Sequence, residues 1–282
     1  MSVPQADPNP GLTTWHQLEA DGLRLRYLAV EGPPGDAWII FHGFGQKPAE
    51  WLPHAQALCH LGRVLVVELP AHGQSSALRQ DKPISQAAWE HWITALCRKE
   101  RVQTCNLLGY SLGGRLALAS AHALKGRVEQ LVLCAAEGAG HSLWYALATR
   151  WPLGRRLLKG MVFNPKWVLS TLKLLARIGL LNKSLARFAT GQLQTRAQRR
   201  LVARSWLALR HLPGSLTALA EVLNRHTIPL LIVAGKHDKT VPMARMLPLA
   251  RLVPHAGVQV LPVGHNRLPE ATIGLLLKEH FD

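Results

Sequence analysis

Three residues of this chain have the types and the order needed to turn a weak nucleophile into a strong one. Ser111 stands in Gly109-Tyr110-Ser111-Leu112-Gly113-Gly114, Asp238 in Gly235-Lys236-His237-Asp238-Lys239, and His265 in Val263-Gly264-His265-Asn266. A neutral serine hydroxyl attacks slowly. A histidine in hydrogen-bond reach takes its proton, and a carboxylate on the other ring nitrogen fixes the tautomer and stabilises the imidazolium. Glycines two before and two after Ser111 leave room for a sharp turn that a Cβ would obstruct. Leu112 would present its backbone N–H at a helix start, where the dipole favours a developing negative charge. A Gly-x-Ser-x-Gly match alone can be no more than a glycine-rich turn, so the weight rests on what positions the three residues.

Each of the three follows an apolar run: Cys105 to Leu108, Leu230 to Ala234, and Val258 to Leu261. Upstream, Ala37 to Phe41, Arg63 to Val67 and Glu129 to Ala136 read as further buried strands, and Asp21-Gly22 predicts a tight hairpin between Trp15 to Ala20 and Leu23 to Val30. Helical spacing covers Pro48 to Leu61, Ser85 to Arg101, Arg115 to Leu124, Met243 to Leu252 and Pro269 to Glu279. This alternation predicts an α/β fold with a mostly parallel sheet and helices on both faces, where function gathers at the carboxyl ends of the strands. The alternation stops between Gly138 and Ala220, where Leu, Arg and helical spacings are broken by Pro152, Pro165 and Pro213. An all-helical insertion follows. The expected organisation is a core over 1–138, with a disordered tail over 1–12, a helical segment over 139–222 and the rest of the core over 223–282.

The formal net charge is +16. Between Glu137 and Glu221 there is no Asp or Glu, while fourteen Arg and Lys residues fall there, so most of the excess belongs to one segment. Within it, Thr171 to Phe188 predicts an amphipathic helix, with Lys173, Arg177, Lys183 and Arg187 on one arc and Leu174, Leu175, Ile178, Leu181, Leu185 and Phe188 mostly opposite, and with Gly179 and Asn182 as the places where it can break. Such a face can simply be solvated, or it can attract anionic substrates or acidic lipid headgroups. Nucleic acid is not expected, because no zinc, helix-turn-helix or aromatic-interleaved pattern accompanies the charge. The four cysteines, Cys59, Cys97, Cys105 and Cys134, lack a Cys-x-x-Cys pair and read as buried thiols. No His-Glu-x-x-His occurs, and neither metal nor cofactor is expected. The N-terminal stretch lacks a basic start followed by an apolar core, which suggests a cytoplasmic protein, with peripheral contact to the inner membrane face left open.

With serine, acid and histidine in that order at successive strand ends, the chain resembles the α/β-hydrolase-fold family over nearly its whole length. It looks most like the small serine esterase and lyase branch, which holds carboxylesterases, the pimeloyl-ester esterase and the menaquinone-pathway lyase. The resemblance implies Ser111, Asp238 and His265 as catalytic triad, the N–H groups of Phe44 and Leu112 as oxyanion hole, and the inserted segment as a cap over the site. Where relatives carry Asp-x-x-Gly-x-Gly-x-Ser, this chain has Glu68-Leu69-Pro70-Ala71-His72-Gly73-Gln74-Ser75. Glu137, where some relatives place the acid, is the rival to Asp238, which could instead cap the segment after it. His42 is expected to buttress its own loop, His237 to be exposed, and Tyr110 either to be structural or to touch substrate; His72 receives no role. The expected activity is cleavage of a carboxylic ester or thioester through an acyl-enzyme. A lyase or C–C hydrolase acting on a carboxylate-bearing substrate, and a non-catalytic binding protein, are the alternatives.

Overall fold

The structure, a computed structural model, describes residues 12–77, 82–140, 143–179, 186 and 190–281. The expected disordered tail falls almost wholly outside these residues. The first two strands, β1 (Thr13–Ala20) and β2 (Leu23–Val30), form the predicted hairpin, with Asp21 and Gly22 at φ of 45° and 76°. Two successive positive φ values give the turn whose twist matches the flanking strands.

The remaining strands are β3 (Ala37–Phe41), β4 (Arg63–Val67), β5 (Ser76–Ala77), β6 (Cys105–Tyr110), β7 (Val128–Cys134), β8 (Leu230–Gly235) and β9 (Gly257–Leu261). They line up as β1-β2-β4-β3-β6-β7-β8-β9, antiparallel up to β4 and parallel from there on, while the two-residue β5 pairs with β2. The sequence signalled every strand but β5, which is too short to carry a period.

Side chains alternate across the sheet into two cores, as a pleated strand requires. Ile39, Phe41 and Leu107 join one layer with Trp89 and Trp92 of α2 (Gln86–Lys99) and Leu116 of α3 (Gly114–Leu124). Trp38, Ile40 and Leu108 join the other with Leu58 of α1 (Leu52–Leu58).

Between β7 and β8 the described residues contain helices and no strand: α4 (Leu143–Thr149), α5 (Pro152–Gly160), α6 (Lys166–Arg177), α7 (Arg196–Ala208) and α8 (Leu216–Arg225). Leu158, Met161, Val162, Leu193, Val202 and Ala203 form their own small cluster there, with Phe44 packed against it. From Ala208 onward the chain returns to the main core, through Leu209, Leu212, Leu219 and Leu223. The predicted amphipathic helix begins earlier and ends sooner than its sequence pattern: α6 stops at Arg177, and Gly179, at φ 77°, supplies the left-handed residue that ends a helix. Most of its second half, residues 180–185 and 187–189, lies outside the described residues. Two last helices, α9 (Leu247–Leu252) and α10 (Leu268–Phe281), complete the chain, and Ile273 and Leu276 of α10 fill the second core beside α1.

Candidate active site

Ser111 lies at the carboxyl end of β6, whose neighbours in the sheet are β3 and β7. It sits at φ 50°, in the left-handed region that a side chain adopts only at a cost, at the junction of β6 and a short 3₁₀ turn leading into α3. The flanking glycines are there for backbone approach. A Cβ on Gly113 would stand 2.1 Å from the Phe41 carbonyl oxygen, one on Gly109 2.6 Å from Ala117 Cβ, and one on Gly114 2.4 Å from Ala136 Cβ. The Ser111 carbonyl accepts from Glu137 N–H at 2.8 Å, which ties the turn to the end of β7.

Asp238 and His265 meet. His265 Nδ1 donates to Asp238 Oδ2 at 2.6 Å, with the carboxylate wholly buried and the ring 12% exposed. Asp238 Oδ1 accepts from the N–H groups of Thr240 and Val241 at 2.7 and 3.0 Å. The aspartate thus caps the following turn with one oxygen and holds the histidine ring with the other. The loops carrying the pair are laced together, Lys236 N–H to Leu261 O at 2.8 Å and His237 N–H to Val263 O at 3.1 Å. His237 itself is exposed.

Tyr110 bridges the serine to the histidine. Its hydroxyl donates to the His265 carbonyl at 3.2 Å, and the two rings lie 5.1 Å apart. The residue is buried, and burial raises its pKa above the ordinary phenol value, so the hydroxyl stays a donor. This contact fits the structural reading of Tyr110. No hydrogen bond joins Ser111 Oγ to His265 among the described residues; such contacts commonly close only when substrate is bound.

Glu137, the rival acid, belongs to another set of contacts. Its carboxylate lies 3.4 Å from Arg115 Nε, and Arg115 also donates to the Leu212 carbonyl and stacks 3.8 Å over the Tyr145 ring. These contacts fasten α3 to both ends of the inserted segment.

The loop after β3 is where two buried histidines act. Gly43 N–H donates to Gln46 Oε1 and Gly45 N–H donates to His72 Nε2, at 2.8 and 3.0 Å. Between them, the Phe44 N–H has no acceptor among the described residues. His42 Nδ1 donates to the Gly43 carbonyl and His42 Nε2 accepts from Leu69 N–H; His72 Nδ1 donates to the Pro70 carbonyl. Each ring therefore needs its Nδ1–H neutral form. Burial pushes His42 down to about 3 and His72 to about 4, which keeps that form at neutral pH. The buttressing role of His42 is as expected. His72 had no local pattern to mark it, because its partner is twenty-seven residues away.

Glu68 explains the departure from the family motif. Its buried carboxylate accepts from the N–H groups of Gln74 and Ser75, both at 2.9 Å, and a Cβ on Gly73 would collide with it. The glutamate folds the loop that carries His72 and gives it its shape. All four cysteines are buried and free. No group of three or more His, Cys, Asp or Glu among the described residues could hold a metal ion. An open depression of about 550 Å³ is lined by Lys173, Arg177, Thr190, Gln194 and neighbours, and contains none of Ser111, Asp238 or His265.

Sheet order, strained serine turn and strand-end aspartate and histidine together define an α/β enzyme scaffold. A family model described as alpha/beta hydrolase fold matches residues 37–272, and the chain belongs to that family. Over 263 residues it is 28% identical to the dihydrolipoyllysine-residue acetyltransferase component of the acetoin cleaving system of Pseudomonas putida, covering 90% of this chain but 65% of that protein. It is 26% identical over 243 residues to a 2-hydroxy-6-oxononadienedioate/2-hydroxy-6-oxononatrienedioate hydrolase of Cupriavidus pinatubonensis, covering 81% and 80% of the two chains. A third likeness, 38% over 102 residues, is to a 2-succinyl-6-hydroxy-2,4-cyclohexadiene-1-carboxylate synthase of Escherichia coli, covering 34% of this chain and 37% of that one. Among solved structures, a hydrolase from Pseudomonas aeruginosa superposes with a TM-score of 0.67 at 23% identity, covering 94% and 97%. The relatives so named are hydrolases, a transferase component and a synthase.

Proposed function

We propose that this protein is a serine hydrolase that cleaves a carboxylic ester or thioester through an acyl-enzyme. The observation that carries the reading is the Asp238–His265 hydrogen bond of 2.6 Å at the strand ends beside a serine held at φ 50°. In the first step the Ser111 proton passes to His265 Nε2 as Oγ bonds to the substrate carbonyl carbon, whose π electrons move onto oxygen. The N–H groups of Phe44 and Leu112 receive that oxyanion. Collapse breaks the bond to the alcohol or thiol, which leaves with the proton from His265, and water then repeats the sequence on the acyl-serine. Asp238 holds the ring in the tautomer that makes Nε2 the base.

A fluorophosphonate probe is expected to label the protein, and Ser111→Ala to abolish the labelling. Labelling that survives the substitution removes the assignment.

The likeness to a synthase and to a hydrolase of carbon–carbon substrates supports a second reading, in which the same residues act on a carboxylate-bearing substrate. A burst of product from an active ester supports the acyl-enzyme. Labelling without any burst favours the second reading.

A further inference from the structure

The inserted segment carries two features that the site does not use. Among the described residues, eight of the twelve large hydrophobic side chains that stand exposed lie between Leu147 and Ile178. Single exposed apolar residues are ordinary; a concentration of them in one stretch marks a contact face. Trp151, Leu153 and Phe163 are the most open, at 63, 64 and 73%.

The helices account for this exposure. α5 turns Leu158 inward and leaves Leu153 and Leu157, one turn apart, outside. α6 packs Val168, Leu169 and Leu172 against the local cluster and leaves Trp167, Leu174 and Ile178 exposed. Steps of seven and four residues put those three on one helix face. Lys166, Lys173 and Arg177, each one residue earlier, make a basic stripe running beside the apolar one. Phe163, on the loop between the helices, has the Arg196 guanidinium from the start of α7 at 5.1 Å from its ring centre.

The second feature is the sign of the charge: no Asp or Glu interrupts the run from Glu137 to Glu221. A second copy of this chain would bring like charge against like. A nucleic acid would answer the charge and leave the Trp, Leu and Phe side chains in water. An anionic lipid surface satisfies both, since apolar side chains enter the headgroup–acyl boundary while Lys and Arg reach the phosphates.

We propose that α5, α6 and the loop between them dock on an anionic lipid bilayer. Lys173 and Arg177, which line the open depression beside the stripe, face the headgroups. Docking does not depend on which bond the enzyme cleaves, and it is read without turnover.

The test uses the full chain with vesicles of phosphatidylcholine, with and without phosphatidylglycerol, pelleted at low and high salt. Binding is expected only with the anionic vesicles and should weaken as salt rises. Acyl chains carrying bromine should quench tryptophan fluorescence, less so in Trp151→Ala. Lys173→Glu combined with Arg177→Glu should weaken binding at least about tenfold. Leu153→Ser combined with Phe163→Ser should weaken it by roughly as much and keep the salt dependence. Circular dichroism checks that these surface variants stay folded. Three outcomes overturn the proposal. One is equal or absent pelleting with the two vesicle types. Another is self-association that Leu153→Ser removes, which gives the face to a second copy. The last is a DNA duplex bound as tightly by the apolar variant as by the parent.

Discussion

Two helices of this chain stand for two ways of using sequence. α3, behind the serine turn, buries nine of its eleven residues; α6, in the inserted segment, buries none of its twelve. Around α3 close approach leaves no room for added side-chain atoms at Gly109, Gly113 and Gly114. Around α6 only one side rests on a small cluster, and the rest is open to whatever lies outside. The scaffold that holds the chemistry is over-determined, while the segment beside it is free to vary in what it contacts.

The sharpest way to test the determined half is Asp238→Asn. Asparagine keeps an oxygen for Thr240 and Val241 N–H but fails to hold the productive tautomer of His265. We expect kcat on an active ester to fall by about 10⁴-fold with an unchanged melting temperature. A loss under tenfold would dissolve the claimed dependence on this pair.

Next in size is a matched pair of glycine substitutions. Gly113→Ala places a methyl against the Phe41 carbonyl and should cost roughly 3 kcal/mol or more in denaturant unfolding. At the end of α5, Gly160 has nothing within 4 Å, and Gly160→Ala is the smallest effect expected, within about 1 kcal/mol and towards stabilisation. Equal costs at the two sites would erase the contrast between the halves.

Between these in size lies the response to acid. His42 and His72 titrate near their ordinary value of 6.5 when unfolded and near 3 and 4 when folded. Their contribution is whole above pH 6.5 and is lost as pH falls towards those folded values, because the unfolded chain then binds protons that the folded one refuses. Between about pH 6 and 4.5 the slope of unfolding free energy should approach two protons from this pair, about 3 kcal/mol per pH unit. His72→Gln should lower it by about one proton.

Much of the determined half was legible because its signals are local. Apolar runs gave strands such as Ala37–Phe41 and Arg63–Val67 to the residue, and the glycines around Ser111 announced a turn. Order along the chain put Asp238 and His265 at neighbouring strand ends. What the sequence could not show are partnerships across long separations: His72 with Gly45, Arg115 with Leu212, Tyr110 with the His265 carbonyl. The inserted segment was legible only as helical and basic. Gly179 was a visible break and does end α6, but an amphipathic pattern alone does not tell that the apolar face of α6 is split between a cluster and the open surface.

Tyr110 acts as a spacer between the end of β6 and the histidine loop. The phenol oxygen is part of a rigid ring, so the reach from the strand end at residue 110 to the main chain at residue 265 is set by that ring and its two side-chain torsions. Drift of the histidine loop away from the serine stretches that contact. The fold thus contains a spacer, set between the nucleophile's strand and the base's loop and cut from the residue next to the nucleophile itself.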